Sequence, residues 1–321
     1  MQWANIILTI SGLALFELIC SIDNAIINAE ILSTMQERAR KWFLLWGFGF
    51  AVFFVRGFLP LMIVYVVNPS LGLWGAFTAM FSHDPEISRA IEASAPILYM
   101  GGGIFLLFLA LYWLFLEEKN IGMHVEKIIM THGFWFYAIA SIILTVVVWF
   151  SMQMDTLRAF GAVVGSSVFF ITHGFKHNAE ESEKKLIDQK SGRLSDLSKL
   201  LYLEVIDTTF SIDGVLGAFA FTLAVPLILV GNAFGAYAVR RLTIGNIEKI
   251  KNYLYLKNGA MYSILALGVV MLADGFSVHV PTYVSPGITF LFVGYFYWKS
   301  IKHPEYLKTS GNKKKDKKNK K

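Results

Sequence analysis

Phe16-Glu17-Leu18-Ile19-Cys20-Ser21-Ile22-Asp23-Asn24 sets two acids inside the apolar run Ile6–Leu32, and Asp207-Thr208-Thr209-Phe210-Ser211-Ile212-Asp213 repeats the arrangement far along the chain. In each copy an acid is followed four residues later by Ser-Ile-Asp. Glu17 therefore pairs with Asp207, and Asp23 with Asp213, at one constant offset. A charged side chain at the centre of a bilayer costs about 2.5–3.5 kcal/mol even on the gentlest insertion scales, so a chain that buries acids twice in one pattern is expected to use them.

The surrounding sequence supplies the hydrocarbon. Of 321 residues, 55% are hydrophobic and 16% charged, and the charges gather between long apolar runs. Roughly 20 apolar residues cross a bilayer as a helix, which satisfies its own backbone; a soluble chain of this size would need polar stripes on its helices. The expected fold is an all-α polytopic membrane protein with about nine transmembrane helices: Ile6–Leu32, Trp42–Val67, Ala95–Leu116, Gly133–Met152, Leu157–His173, Leu200–Leu223, Pro226–Val239, Gly259–Phe276 and Gly287–Trp298. The seventh is short for a span. Leu71–Phe81 is apolar but too short to cross, and reads as an interfacial helix or a re-entrant segment. Cys20 stands alone, which excludes an intramolecular disulfide or a thiol metal cluster. The start Met1-Gln2-Trp3-Ala4-Asn5 lacks the basic character of a secretory signal, so the first helix is expected to remain.

Charge sets an expected topology. With nine spans, all 29 Lys and Arg except Arg56, Arg89 and Arg158 fall on one side, which the positive-inside rule makes cytoplasmic. The chain then runs N-out, C-in, and the spans holding the two motifs cross in opposite directions. Inverted-topology repeats with a site at the midplane are a recurring plan for secondary transporters. The expected divisions are a transmembrane half over 1–175 with the first motif, a charged cytoplasmic loop over 176–199, a second transmembrane half over 200–300 with the second motif, and a basic tail over 301–321. The net charge of +6 resides largely in that tail. Anionic lipid headgroups at the membrane surface, rather than nucleic acid, are its expected partner.

On a continuous helix Glu17, Ser21, Asn24 and Asn28 share a stripe, whereas Asp23 points elsewhere. Asp207 and Ser211 lie together, Glu204 sits one turn before, and Asp213 faces away. Either each helix is interrupted at Ser-Ile-Asp, with Gly214 and Gly217 easing a break in the second copy, or the acids meet different neighbours. The candidate ligands are Glu17, Asp23, Asn24, Glu204, Asp207 and Asp213, supported by Ser21 and Ser211, with Arg56 as counter-charge. An oxygen-only set suits hard divalent cations such as Mn2+, Mg2+ or Ca2+. Mutual repulsion would leave some carboxylates protonated, ready to exchange protons for metal. No tightly bound cofactor and no catalytic residue is indicated. His173 and His177 fall at the expected cytoplasmic mouth, where an ordinary interface role competes with proton relay. Asp274 reads as a solvated cap, Asp155 as a residue of a short outer connection, and Gly101-Gly102-Gly103 as a helix-packing surface.

These residues resemble the TerC family of integral membrane proteins, named for tellurium resistance and related to manganese exporters. The matches are Glu17-Leu18-Ile19-Cys20-Ser21-Ile22-Asp23-Asn24 and Glu204-Val205-Ile206-Asp207-Thr208-Thr209-Phe210-Ser211-Ile212-Asp213-Gly214-Val215, with Arg56 in the second span. Gly214 stands where serine is common in that family, and Cys20 where an aliphatic residue is usual. The resemblance implies export of Mn2+ or a related ion across a bacterial cytoplasmic membrane. Two other classes remain open on the residues alone: a metal sensor or assembly protein working through its charged loop and tail, and an intramembrane aspartyl hydrolase, for which the acids are too many.

Overall fold

In the computed structural model every described element is a helix, and no strand occurs among the described residues. The described residues are 2–21, 25, 28, 31–32, 35–47, 49–50, 57–58, 61–62, 65, 69, 72–79, 81, 85–119, 123–188, 196–245 and 253–302; within them 2, 44–45, 85–94, 176–188, 196, 206, 209–210 and 242–245 are described by backbone alone. The helices are α1 (Gln2–Cys20), α2 (Glu37–Trp42), a π-helical turn (Phe43–Gly47), α3 (Gly72–Ala79), α4 (Pro85–Phe115), α5 (His124–Met130), α6 (Trp135–Met152), α7 (Thr156–Asp188), α8 (Asp196–Ala218), α9 (Val225–Gly245), α10 (Leu256–Gly275) and α11 (Val284–Lys302).

Five of them are long and apolar enough to cross a membrane, over Trp3–Cys20, Ala95–Phe115, Trp135–Met152, Thr156–Phe175 and Leu256–Gly275. The chain is thus an α-helical protein with the apolar helices of a membrane protein. The outward faces agree: on α6, Tyr137, Ile142, Trp149 and Phe150 are all exposed, a surface that water would not tolerate and lipid would. Helices α8, α9 and α11, with 23, 21 and 19 residues, have the length to span, roughly 28–35 Å at 1.5 Å per residue. Helix α9 runs past the expected Pro226–Val239 to Gly245 and takes in Arg240 and Arg241. The acids Glu204, Asp207 and Asp213 are what lower the apolar character of α8. The second expected span, Trp42–Val67, lies mostly outside the described residues.

Helix α4 is the centre of the packing. Its faces meet α7 on one side and α10 on the other, and Met100, Ile104 and Phe108 are buried there with Phe169 and Met271. Glycines permit these crossings, as the Gly101-Gly102-Gly103 reading expected. A Cβ on Gly161 would lie 2.5 Å from the Ile97 carbonyl, and one on Gly268 would lie 3.0 Å from Leu107 N. Without a hydrophobic drive between helices in lipid, such close backbone approach is what holds a bundle together.

Two expectations about connections change. The segment from Lys176 is not a loop throughout, because α7 continues unbroken to Asp188 over 33 residues. The physical reason is in the spacing: Glu180 with Lys184 and Glu181 with Lys185 stand four apart, acid first, the favourable order on a helix. At about 50 Å, α7 exceeds the ~30 Å of hydrocarbon, which places its charged end beyond the apolar part. Leu71–Phe81 is largely an eight-residue helix, α3, that buries Ala76 and Ala79 and exposes Trp74 and Phe77. That length suits an interfacial helix and excludes a crossing.

Candidate functional site

The two motif helices touch at Glu17. A Cβ on Gly214 of α8 would lie 2.8 Å from Glu17 Oε2, and one on Gly235 of α9 would lie 2.5 Å from Glu17 Cβ and 2.6 Å from the Ala14 carbonyl. The Glu17 side chain is therefore walled by two glycines from two different helices, and only 1% of it is exposed. Any larger residue at either place would occupy the volume the carboxylate now fills. Phe16, one residue earlier, packs its ring on Gly217 and against Phe221 at 5.5 Å between centroids.

The order of these contacts gives direction. Gly214, Gly217 and Phe221 meet Glu17, Phe16 and Gly12 in turn, so α1 and the α8 segment pass in opposite directions. Gly231 and Gly235 meet Leu13 and Glu17, so α1 and α9 run parallel. The Gly231-x-x-x-Gly235 spacing presents both glycines on one face of α9, the small-residue pattern that lets membrane helices approach closely.

The second motif helix lacks the break that Gly214 and Gly217 would ease, whereas on the first copy α1 ends at Cys20, and Ile22, Asp23 and Asn24 lie outside the described residues. Helix α8 runs continuously from Asp196 to Ala218, through Ser211-Ile212-Asp213-Gly214. On the first copy, Ser21 N–H donates to the Glu17 carbonyl at 3.0 Å, and Ala25 N–H to the Ser21 carbonyl at 2.9 Å. The glycines of α8 admit a neighbour rather than interrupt a helix.

The two serines differ in use. Ser21 Oγ donates to Glu17 Oε1 at 2.7 Å, so the expected Glu17–Ser21 stripe is a hydrogen bond to the carboxylate. Ser211 Oγ donates to the Asp207 carbonyl at 2.5 Å, a bond back into its own helix. Asp213 is buried, one residue before the glycine that faces Glu17.

Glu204 belongs to a second level. It stands ten residues before Gly214, roughly 15 Å along α8 at 1.5 Å per residue. Its carboxylate presses on Gly47, in the π-helical turn Phe43–Gly47, and both oxygens are buried without a hydrogen-bond partner among the described residues. A π turn widens the helix locally and is common at functional positions; here the missing side chain at Gly47 leaves room for the acid. Asp207 and Arg240 lie within electrostatic reach of Glu204. Arg240 Nη1 donates to the Phe43 carbonyl at 2.5 Å, and the guanidinium lies 4.8 Å from the Phe43 ring centroid.

The sequence-expected ligands are thus distributed rather than gathered. Glu17, Ser21 and Gly214 with its neighbour Asp213 form an upper level, and Glu204 with Asp207 a lower one. Asp23, Asn24 and Arg56 lie outside the described residues. Among the described residues no three Asp, Glu, His or Cys side chains converge closely enough to hold a metal ion. Four contributors were not singled out from sequence: Gly47, Gly235, Arg240 and Asn232. Arg240 was counted only as a cytoplasmic cation. The Gly231-x-x-x-Gly235 spacing was the available signal for α9. Asn232 is fully buried, and neither of its amide atoms has a hydrogen-bond partner among the described residues, a condition that costs about 1–3 kcal/mol per unsatisfied group.

Other candidates resolve into structure. His173 sits between Phe169 and Tyr112, its ring centroid 3.6 Å from that of Tyr112; the His177 side chain lies outside the description. Asp274 Oδ1 accepts from Val280 N–H at 2.9 Å and ties the end of α10 to the connection that follows, rather than standing as a solvated cap. Asp155 Oδ1 accepts from Leu157 N–H at 3.0 Å and caps the start of α7. Near the other end of the chain's apolar helices, Glu126 is fully buried and accepts from Met123 N–H and from both-sided contacts of Asn258 Nδ2, at 2.9 and 2.7 Å.

Comparison with known proteins places most of the chain in one group. No curated protein and no solved structure matches it. Residues 22–305 match the family described as protein of unknown function (DUF475), which takes in the second motif and most of the helices described above. The chain belongs to the DUF475 family.

Proposed function

We propose that this protein is a secondary transporter that exports a divalent cation, Mn2+ foremost, from the cytoplasm in exchange for protons. The observation that carries the reading is Glu17: a carboxylate buried to 1% exposure, bonded by Ser21, in a glycine-walled crevice where two helices bearing the same acidic motif pass in opposite directions. That arrangement is what an inverted repeat would place at its centre, and an acid so enclosed in apolar helices is a functional hypothesis by default. The nine-span, N-out, C-in topology belongs to this reading, as does a multi-pass position in the cytoplasmic membrane. So does the resemblance to the TerC family and its manganese-exporting relatives.

In this mechanism the cation is substrate. It enters from the cytoplasmic side at Glu204 and Asp207, where Arg240 is the competing positive charge, and moves along α8 to Glu17 and Asp213. Two levels roughly 15 Å apart suit alternating access, since each is served from one side. Carboxylates relieved of the cation take up protons, which returns the site to neutrality before the next cycle. Asp23 and Asn24 are further ligands in this reading, and Ser211 and Arg56 supporting groups.

Flux of Mn2+, Mg2+, Ca2+ and Zn2+ into proteoliposomes, with and without a pH gradient, tests it against Asp213→Asn. Mn2+ movement that responds to the gradient and disappears in Asp213→Asn is expected. No movement of any of the four ions by folded wild-type protein would end the transporter reading and favour a metal sensor or assembly role.

A further inference from the structure

Asn232 is out of place for packing alone. It lies on α9 in an otherwise apolar stripe, four residues after Ile228 and four before Ala236, both buried. Its side chain is 0% exposed, and neither amide atom has a hydrogen-bond partner among the described residues. A leucine would fill such a place without leaving two polar atoms unanswered.

Its surroundings point to what would answer them. Ile228, one turn earlier on the same stripe, packs in the cluster that contains Leu13, Phe16 and Val215. Gly231, next to Asn232, meets Leu13 and Gly235 meets Glu17, so this side of α9 is turned to α1 at the level of Glu17. Asn232 is one turn further along than Ile228, toward the level of Gly235, which the Glu17 side chain touches. Three residues separate Asn232 from Gly235, a rise of about 4.5 Å.

We propose that Asn232 is a ligand-supplying residue of the cation site at Glu17, contributing its amide oxygen to the divalent ion. The assignment rests on the cation-transport reading and extends it to a third helix. Hard divalent ions take six or more oxygens, and neutral carbonyl oxygens supply coordination without further charge. In the cation-transport reading Glu17 and Asp213 supply the negative charge. A neutral third donor fills a coordination position and leaves the ion free to depart, whereas a third carboxylate would hold it.

The test uses the full chain in detergent, titrated with Mn2+ and followed by the electron paramagnetic resonance signal of the free ion, with metal-free thermal unfolding alongside. Asn232→Leu is expected to lose at least tenfold in Mn2+ affinity while its metal-free unfolding temperature stays level or rises. Asn232→Asp is expected to bind at least as tightly as wild type, with a steeper dependence on pH. Asn232→Leu binding within twofold of wild type would overturn the assignment, and so would a lower unfolding temperature at unchanged affinity, the signature of a structural amide. If Asn232→Leu does not fold, Asn232→Ala, which only removes atoms, decides by the same criterion. Absence of Mn2+ binding by wild type would overturn the transport reading together with this one. Wild-type binding retained by the variant overturns Asn232 alone.

Discussion

Gly214→Ala and Gly235→Ala should separate the chemistry of Glu17 from its packing. Both add one methyl beside the same residue, but against different parts of it. At Gly235 the new carbon would stand 2.5 Å from Glu17 Cβ and 2.6 Å from the Ala14 carbonyl. Carbon atoms in contact prefer about 3.5–4.0 Å, so the separation is short by roughly 1 Å, and neither partner can rotate away. Helices α1 and α9 must part. Overpacking of this kind costs about 1–3 kcal/mol, offset by about 0.5–1 kcal/mol for replacing glycine in a helix. A net loss of about 1–2 kcal/mol is expected. At Gly214 the neighbour is the tip of the side chain, Glu17 Oε2 at 2.8 Å, which can swing aside for about 0.5–1.5 kcal/mol. Stability should then hardly change, while the carboxylate leaves its position beside Gly214. Thermal unfolding in detergent and Mn2+ flux in proteoliposomes, measured on both variants, read the two effects. Gly174→Ala, with nothing within 4 Å, is the control and should gain the helix increment alone. Full stability in Gly235→Ala would refute the close approach of α1 and α9, and wild-type flux in Gly214→Ala would refute a role for the position of the Glu17 carboxylate.

Asn258→Leu removes a donor from the fully buried Glu126 and should cost about 1–3 kcal/mol in unfolding free energy. Removing both partners in Glu126→Leu/Asn258→Leu should cost less than the single change, and a larger loss in the double variant would contradict the pairing. Lys119 donates to the carbonyls of Trp113, Leu114 and Glu117 at the end of α4. Burial pushes its ammonium below the ordinary 10.5, partly opposed by the charge of Glu117. Between that lowered value and 10.5 the unfolded chain holds more protons than the folded one, so this group's contribution to stability rises with pH across the window. Lys119→Met should flatten the rise in a pH series of unfolding measurements, and an unchanged slope would show that other groups produce it.

The class of fold and the identity of the acids follow from local properties. Runs such as Ala95–Phe115 and Trp135–Met152 are apolar over the thickness of a bilayer, and in lipid a helix must satisfy its backbone within itself, so length and hydropathy suffice. The Glu17–Ser21 bond was likewise legible, because a spacing of four on a helix sets two side chains together. Glycine is less legible: Gly214 and Gly217 would ease a break in the second motif helix, but in the fold they receive Glu17 and Phe16. A glycine weakens a helix and opens its surface, and only a neighbouring helix decides which effect matters.

What only the tertiary structure decided is how residues far apart in sequence share space. It sets Glu204 roughly 15 Å along α8 from Gly214, the residue that faces Glu17, although the two acids share a chemical type. It sets Arg240 over Phe43 beside Glu204, where a charge count saw only a loop cation. It also buries Asn232 on the side of α9 turned to α1. Hydropathy and period act within one helix and are written in consecutive residues. Which faces of α1, α8 and α9 meet depends on the fit of Gly214, Gly231 and Gly235 against side chains some 200 positions away, and no local pattern in the sequence records that fit.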